Sequence, residues 1–95
     1  MKTLILIGSL LISTTAVQAE EKEKGFYYYG SIYGAGSTLC ALVNDGKIEK
    51  DYAATFLSDM VRMFSDDHEL DAVFPYIENA YEGISKEKQC EGIYD

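Results

Sequence analysis

Two cysteines, one histidine and a large surplus of acids are the residues from which this chain could build a reactive site. The thiols, Cys40 and Cys90, lie far apart, whereas a redox-active pair usually needs close spacing such as Cys-x-x-Cys. Their separation points instead to a structural disulfide, and closing a loop of about 50 residues contributes on the order of 4 kcal/mol in the chain-entropy picture. His68 stands beside Asp66, Asp67 and Glu69, but no serine or cysteine is tied to it by a nucleophile motif. It reads as a surface histidine. Paired carboxylates can perform acid and base work, yet sixteen acids in 95 residues supply many such pairs by accident. The chain therefore reads as non-enzymatic and as using no cofactor.

The acids between the later elements carry one sharper pattern. Asp67, Glu69, Asp71 and Glu78 occupy positions one, three, five and twelve of a twelve-residue calcium loop, where hard oxygen ligands suit Ca²⁺. Against it stand Ala72 where the sharp turn calls for glycine, Leu70 where polarity is expected, and Pro75 at position nine. An acidic, solvated connection between helices is the plainer reading of the same residues, and the calcium loop is its alternative.

The most unusual composition is aromatic: Phe26, Tyr27, Tyr28 and Tyr29 in succession, then Tyr33. Four consecutive residues of a helix point in all directions, so they cannot all enter one core. Tyrosine offers large contact area with a polar tip and is enriched at interfaces. Tyr27, Tyr28, Tyr29 and Tyr33 are thus the candidate contact region for a protein partner.

The elements that would hold these residues are helical. Tyr29, Ile32, Tyr33, Gly36, Leu39, Cys40 and Val43 recur at spacings of three and four, predicting a helix over about 27–43. Gly30 and Gly34, four apart, are expected to let another backbone of the domain approach closely. Asn44-Asp45-Gly46 is a stop signal, since glycine takes the left-handed conformation that ends a helix. A second helix is predicted from near Glu49, with Tyr52, Ala53, Phe56, Leu57, Met60, Val61 and Phe64 as its apolar stripe, ending at Ser65-Asp66-Asp67. A helical turn is expected at 68–72. Pro75 fits the first turn of a last helix, with Phe74 before it pushed extended. That helix carries Ile77, Ala80, Tyr81 and Ile84 inward and Glu78 and Glu82 outward, and Cys90 follows it. The fold class is all-α: a small bundle of three main helices with one short extra turn, closed by the Cys40–Cys90 bond.

The beginning of the chain has its own logic. Lys2 supplies a positive start, Leu4 to Ile12 an apolar stretch, and Val17-Gln18-Ala19 the small residues that signal peptidase reads. Residues 1–19 are accordingly expected to be a cleavable export signal cut after Ala19, too short in its apolar part for a spanning helix of roughly 20 residues. Export to a periplasm or the extracellular space places both thiols where they oxidise. Residues 20–25 read as a disordered acidic tail and 26–95 as one helical domain. Removing 19 of 95 residues leaves 76, and loses one of the eight cations and none of the sixteen acids, for a net charge of −9. Such a chain is repelled by nucleic acid and anionic lipid surfaces, which excludes both as direct partners and leaves no stable membrane anchoring after cleavage.

The order Tyr29-Gly30-Ser31-Ile32-Tyr33-Gly34, Cys40, Gly46-Lys47-Ile48, Phe56-Leu57, His68-Glu69, Ala80-Tyr81 and Cys90 resembles that of the Tai-type periplasmic immunity proteins. The resemblance covers most of residues 29–90. It implies a small exported helical protein, closed by a terminal cysteine bridge, that binds and blocks a toxic cell-wall amidase. A fainter likeness, of size and cysteine number, is to exported acid-stress chaperones of the HdeA type. The function expected from the residues themselves is broader: an exported, acidic, helical module that binds another protein, with toxin immunity, calcium binding and stress protection as alternatives.

Overall fold

The computed structural model describes the backbone from Lys2 to Asp95 and the side chains from Glu20 onward. Among the described residues the elements are α1 (Lys2–Asn44), α2 (Lys50–Ser65), a 3₁₀ segment (His68–Val73), α3 (Phe74–Ser85) and a 3₁₀ turn (Lys88–Cys90). The fold is all-helical, as its apolar spacings predict. The expected export signal, Met1–Ala19 with its cut after Ala19, lies outside the residues whose side chains are described.

The three helices meet at Gly36. A Cβ built there would stand 2.9 Å from Ile84 Cγ1 on α3 and 3.2 Å from Leu57 Cδ2 on α2. Around this crossing the fully buried side chains are Ile32, Cys40, Ala53, Leu57, Ile77, Ala80, Ile84 and Cys90. One turn beyond Gly36, Cys40 bonds to Cys90 across a Cα separation of 5.2 Å. The bond ties the segment after α3 to the later half of α1, and both cysteines are consumed by it.

That terminal segment belongs to the core, which the periodicity of the helices does not reveal. Ile93 and Tyr94 are buried with the helices, and the Tyr94 hydroxyl donates a buried hydrogen bond of 2.7 Å to the Gly36 carbonyl. Asn44 Nδ2 donates to the Gln89 carbonyl at 2.9 Å, and Gln89 Nε2 donates to Ser37 Oγ at 3.1 Å. Gly92, at φ 79°, supplies the left-handed residue that turns the chain back.

Local chemistry sets the remaining boundaries. Gly46 at φ 72° ends α1 in a Schellman arrangement, with Lys47 N–H donating to Leu42 O at 2.8 Å and Gly46 N–H to Val43 O at 3.0 Å. Asp67 caps the next segment, its carboxylate accepting from Glu69 N–H at 3.0 Å. Pro75 lies in the first turn of α3, where its missing N–H costs nothing.

Three expectations are corrected. Residues 20–25, read as a disordered tail, are helical and continuous with α1, and Gly25 is buried beneath the Tyr76 ring. Polar composition alone concealed this, because the exposed run Glu20–Lys24 leads straight into that contact. Gly30 and Gly34 meet nothing within 4 Å; the close approach occurs at Gly36, which lies on the face of Ile32, Leu39 and Cys40. Phe74, expected extended before proline, is helical at φ −58°, ψ −35°. Leu70 and Val73 are buried, and the 3₁₀ segment runs directly into α3 to keep them so.

The glycines give a paired test. Gly36→Ala drives a methyl into Ile84 and Leu57 and is expected to destabilise by about 1–3 kcal/mol, as overpacking does. Gly34→Ala enters open space and is expected to stabilise by up to ~1 kcal/mol through helix propensity. Urea unfolding midpoints of the two variants read the opposite signs, and equal losses would refute the crossing at Gly36.

Tyr94 gives a second. Burial, with the neighbouring Tyr81 second, pushes its hydroxyl from 10.0 up to about 12. The folded chain thus holds this proton more tightly than the unfolded chain. Its contribution to stability is complete below pH 10 and is lost as pH rises toward 12. Tyr94→Phe is expected to make the alkaline fall in urea midpoint shallower between those limits. An unchanged slope would show that Tyr94 ionises freely in the folded state.

Candidate functional site

The aromatic run of α1 is divided among its neighbours as a helix must divide it. With about 100° between successive residues, Phe26 turns to α3 and meets Tyr76 edge-on at 5.9 Å. Tyr28 turns to α2 and meets Phe64 edge-on at 5.2 Å. Tyr29 stacks on Tyr33 at 5.8 Å, and both lie against Gly83 of α3. Tyr27 points away from the core and is 69% exposed, touching Tyr28 edge-on at 5.2 Å.

Of the four tyrosines read as a contact region, the structure therefore leaves Tyr27 outside and half-buries Tyr28, Tyr29 and Tyr33 against the core. The Tyr33 hydroxyl donates to the Glu87 carboxylate. That bond raises its pKa above the ordinary 10.0, because ionisation would break the bond and set two negative charges together. The hydroxyl serves as a link between α1 and the chain beyond α3.

A second apolar surface lies on α2. Tyr52 is 58% exposed, Phe56 47% and Met63 67%, although Tyr52 and Phe56 belong to the stripe predicted to face inward. Only Ala53 and Leu57 of α2 are fully buried. Tyr52 and Phe56 contact each other at 6.2 Å between ring centres. Phe56, Asp59, Met60, Met63 and Phe64 then line an open groove of about 480 Å³. Through Phe64 it continues to Tyr28 and Tyr27, so rings and thioethers run without a break from α1 across α2.

The sequence contained a signal for this surface. On a helical projection the stripe from Tyr52 to Val61 spans about 180°, wider than the roughly 100° face that packing on a core requires. The excess edge holds Tyr52 and Phe56, and Met63 falls between them. Tyr52, Phe56 and Met63 are thus left uncovered by the other elements of the domain.

The acids of the proposed calcium loop do not converge. The Asp67 carboxylate caps Glu69 N–H, Asp71 faces His68 Nδ1 at 3.5 Å on the surface, and Glu78 is exposed on α3. Among the described residues no group of three or more His, Cys, Asp or Glu side chains is placed to hold a metal ion. The 3₁₀ winding of His68–Val73 replaces the open loop that coordination needs. His68 itself is 91% exposed.

No family model, curated protein or solved structure matches this chain.

The Tyr28–Phe64 contact joins the two apolar surfaces, and its energy is measurable. A double-mutant cycle with Tyr28→Ala and Phe64→Ala is expected to give a coupling of about 0.5–1.5 kcal/mol, the range for edge-on aromatic pairs. A coupling near zero would mean that the surfaces are independent.

Proposed function

We propose that this chain is an exported, non-enzymatic module that works by binding another protein through the apolar surface of α2 and the neighbouring end of the α1 aromatic run. The observation that carries this reading is the exposure of Tyr52, Phe56, Met63 and Tyr27, joined through the half-buried Phe64 and Tyr28, in a domain whose own core excludes them. Full burial of a large apolar side chain is worth about 1.5–3 kcal/mol, and a partner that covers the exposed part of each of these recovers the corresponding share.

The chemistry of the remaining residues agrees. Both thiols are held in the buried disulfide, a bond consistent with an oxidising compartment. Among the described residues no helix is long and apolar enough to cross a membrane. The acidic balance, eight cations against sixteen acids, favours a protein partner over nucleic acid. The likeness to Tai-type immunity proteins is of the same functional kind and rests on its short motifs.

Site-specific photocrosslinking in cells tests this reading. A photoreactive phenylalanine at Tyr27, Tyr52 or Met63 of the full chain is expected to yield adducts, whereas the same group at Glu78 or Glu82, on the outer face of α3, yields none. The recovered chain is expected to begin at Glu20. Equal labelling from both faces, or no adduct from any position, would overturn the binding reading, and a chain retaining Met1 would overturn export.

A further inference from the structure

We propose that the α2 groove receives an amphipathic helix whose apolar side chains recur at i, i+4, i+7 and i+11 and whose flank carries lysine or arginine a heptad apart. The inference rests on the protein-binding reading and adds the chemistry of the partner.

The exposed apolar positions of the face are Tyr52, just beyond the groove, and Phe56 and Met63, which line it, with offsets of four and seven, and Met60 borders them toward the core. This is one side of a straight helix, and the surface that fits it best along its length is another helix laid in the groove. Along one edge of the stripe run Asp59 and Asp66. Seven residues make nearly two whole turns, so these two stand about 20° apart around the axis and form a row.

Asp59 itself lines the groove and is 53% exposed, as is most of its neighbour Arg62, which holds it at 2.9 Å. An exposed pair of this kind contributes little to the fold, so a cation from the partner can replace Arg62 at small cost. Asp66 is the C-cap residue of α2. The carbonyl end of a helix already carries negative potential, and Asp66, Asp67 and Glu69 extend it where the helix itself would favour basic residues. The groove is therefore apolar along its floor and negative along one edge and one end.

Charge also decides against a second copy of this chain as the occupant. Each copy carries a formal charge of −8, and a two-fold pairing of α2 faces would bring the Asp59 row of one against the Asp59 row of the other. A basic helix meets the opposite condition.

Two synthetic helical peptides with the same leucine face, one flanked by lysine and one by glutamate, test the proposal against the full chain by fluorescence anisotropy. The lysine peptide is expected to bind at least tenfold more tightly than the glutamate peptide, and the difference is expected to shrink in 0.5 M salt. Met63→Ser is expected to weaken it at least tenfold. Asp59→Asn with Asp66→Asn is expected to remove most of the preference, with the thermal melt unchanged or slightly raised, because both carboxylates are exposed and Asp66 stands at the negative end of α2. Equal affinity for the two peptides would overturn the proposal, as would insensitivity to Met63→Ser, or adducts of twice the chain mass from Tyr52. Adducts with a different protein alongside equal peptide affinity would overturn only the partner's chemistry, whereas no adducts from any position would remove the binding reading beneath it.

Discussion

The fold depends on one close approach. At Gly36 the backbone of α1 comes so near to Ile84 and Leu57 that no side chain can stand between them. Three further long-range links lie within about a turn of that point: Cys40 carries the disulfide, the Gly36 carbonyl accepts from Tyr94, and Ser37 accepts from Gln89. A domain this small buries few large side chains, and its net stability is of the order of 5–10 kcal/mol. A cross-link contributing on the order of 4 kcal/mol is a large share of that. The disulfide and the glycine act together, because Cys90 reaches Cys40 only where α3 packs closely on α1.

The same close packing explains the exposed surface of α2. Helices that meet at a glycine crossing bury narrow faces: α2 meets Gly36 through Leu57, and only Ala53 and Leu57 of α2 are fully buried. Its apolar stripe is about twice as wide as such a face. The outer half holds Tyr52, Phe56 and Met63, which no element of the domain covers among the described residues. Turning α2 to bury these side chains, which stand about 100–140° around its axis from Leu57, would carry Leu57 away from Gly36. Exposure of the groove and tightness of the core are thus consequences of one geometry.

Much of this architecture was legible because it is written in local chemistry. Asn44-Asp45-Gly46 marks the end of α1 through the φ that only glycine takes easily, Pro75 marks the start of α3, and the cysteine pair needs only an oxidising compartment to be read. The face of Ile32, Gly36, Leu39 and Cys40 follows from a period of 3.6. What the sequence left open depends on which neighbour each face meets. Gly30-x-x-x-Gly34 has the spacing of a packing motif, but Gly36 occupies the contact because it shares the side of Leu39 and Cys40. Ile93 and Tyr94 carry no helical period, and their burial follows from the disulfide that brings the chain end against α1. The tyrosines of α1 were legible as a group that one core cannot absorb. Their division, with Tyr27 outside and Tyr28, Tyr29 and Tyr33 half-buried against the core, needed the positions of α2 and α3.

The distribution of charge follows from the same constraint. The sixteen acids find no buried position among the described residues, since a buried carboxylate without a partner is costly. They are therefore confined to the surface, and the surface is not uniform. The outer face of α3 offers Glu78 and Glu82, the latter paired with Lys86 at 3.0 Å, on a helix whose apolar residues are taken up by the core. The outer face of α2 offers Asp59 and Asp66 beside uncovered rings and a thioether. A carboxylate on the first face has only water and a lysine to interact with. One on the second borders an apolar strip, where an incoming side chain sheds water and an opposite charge is felt more strongly. The two amphipathic helices of the same small bundle therefore differ in kind: the apolar residues of α3 are taken up within the domain, whereas Tyr52, Phe56 and Met63 of α2 are not.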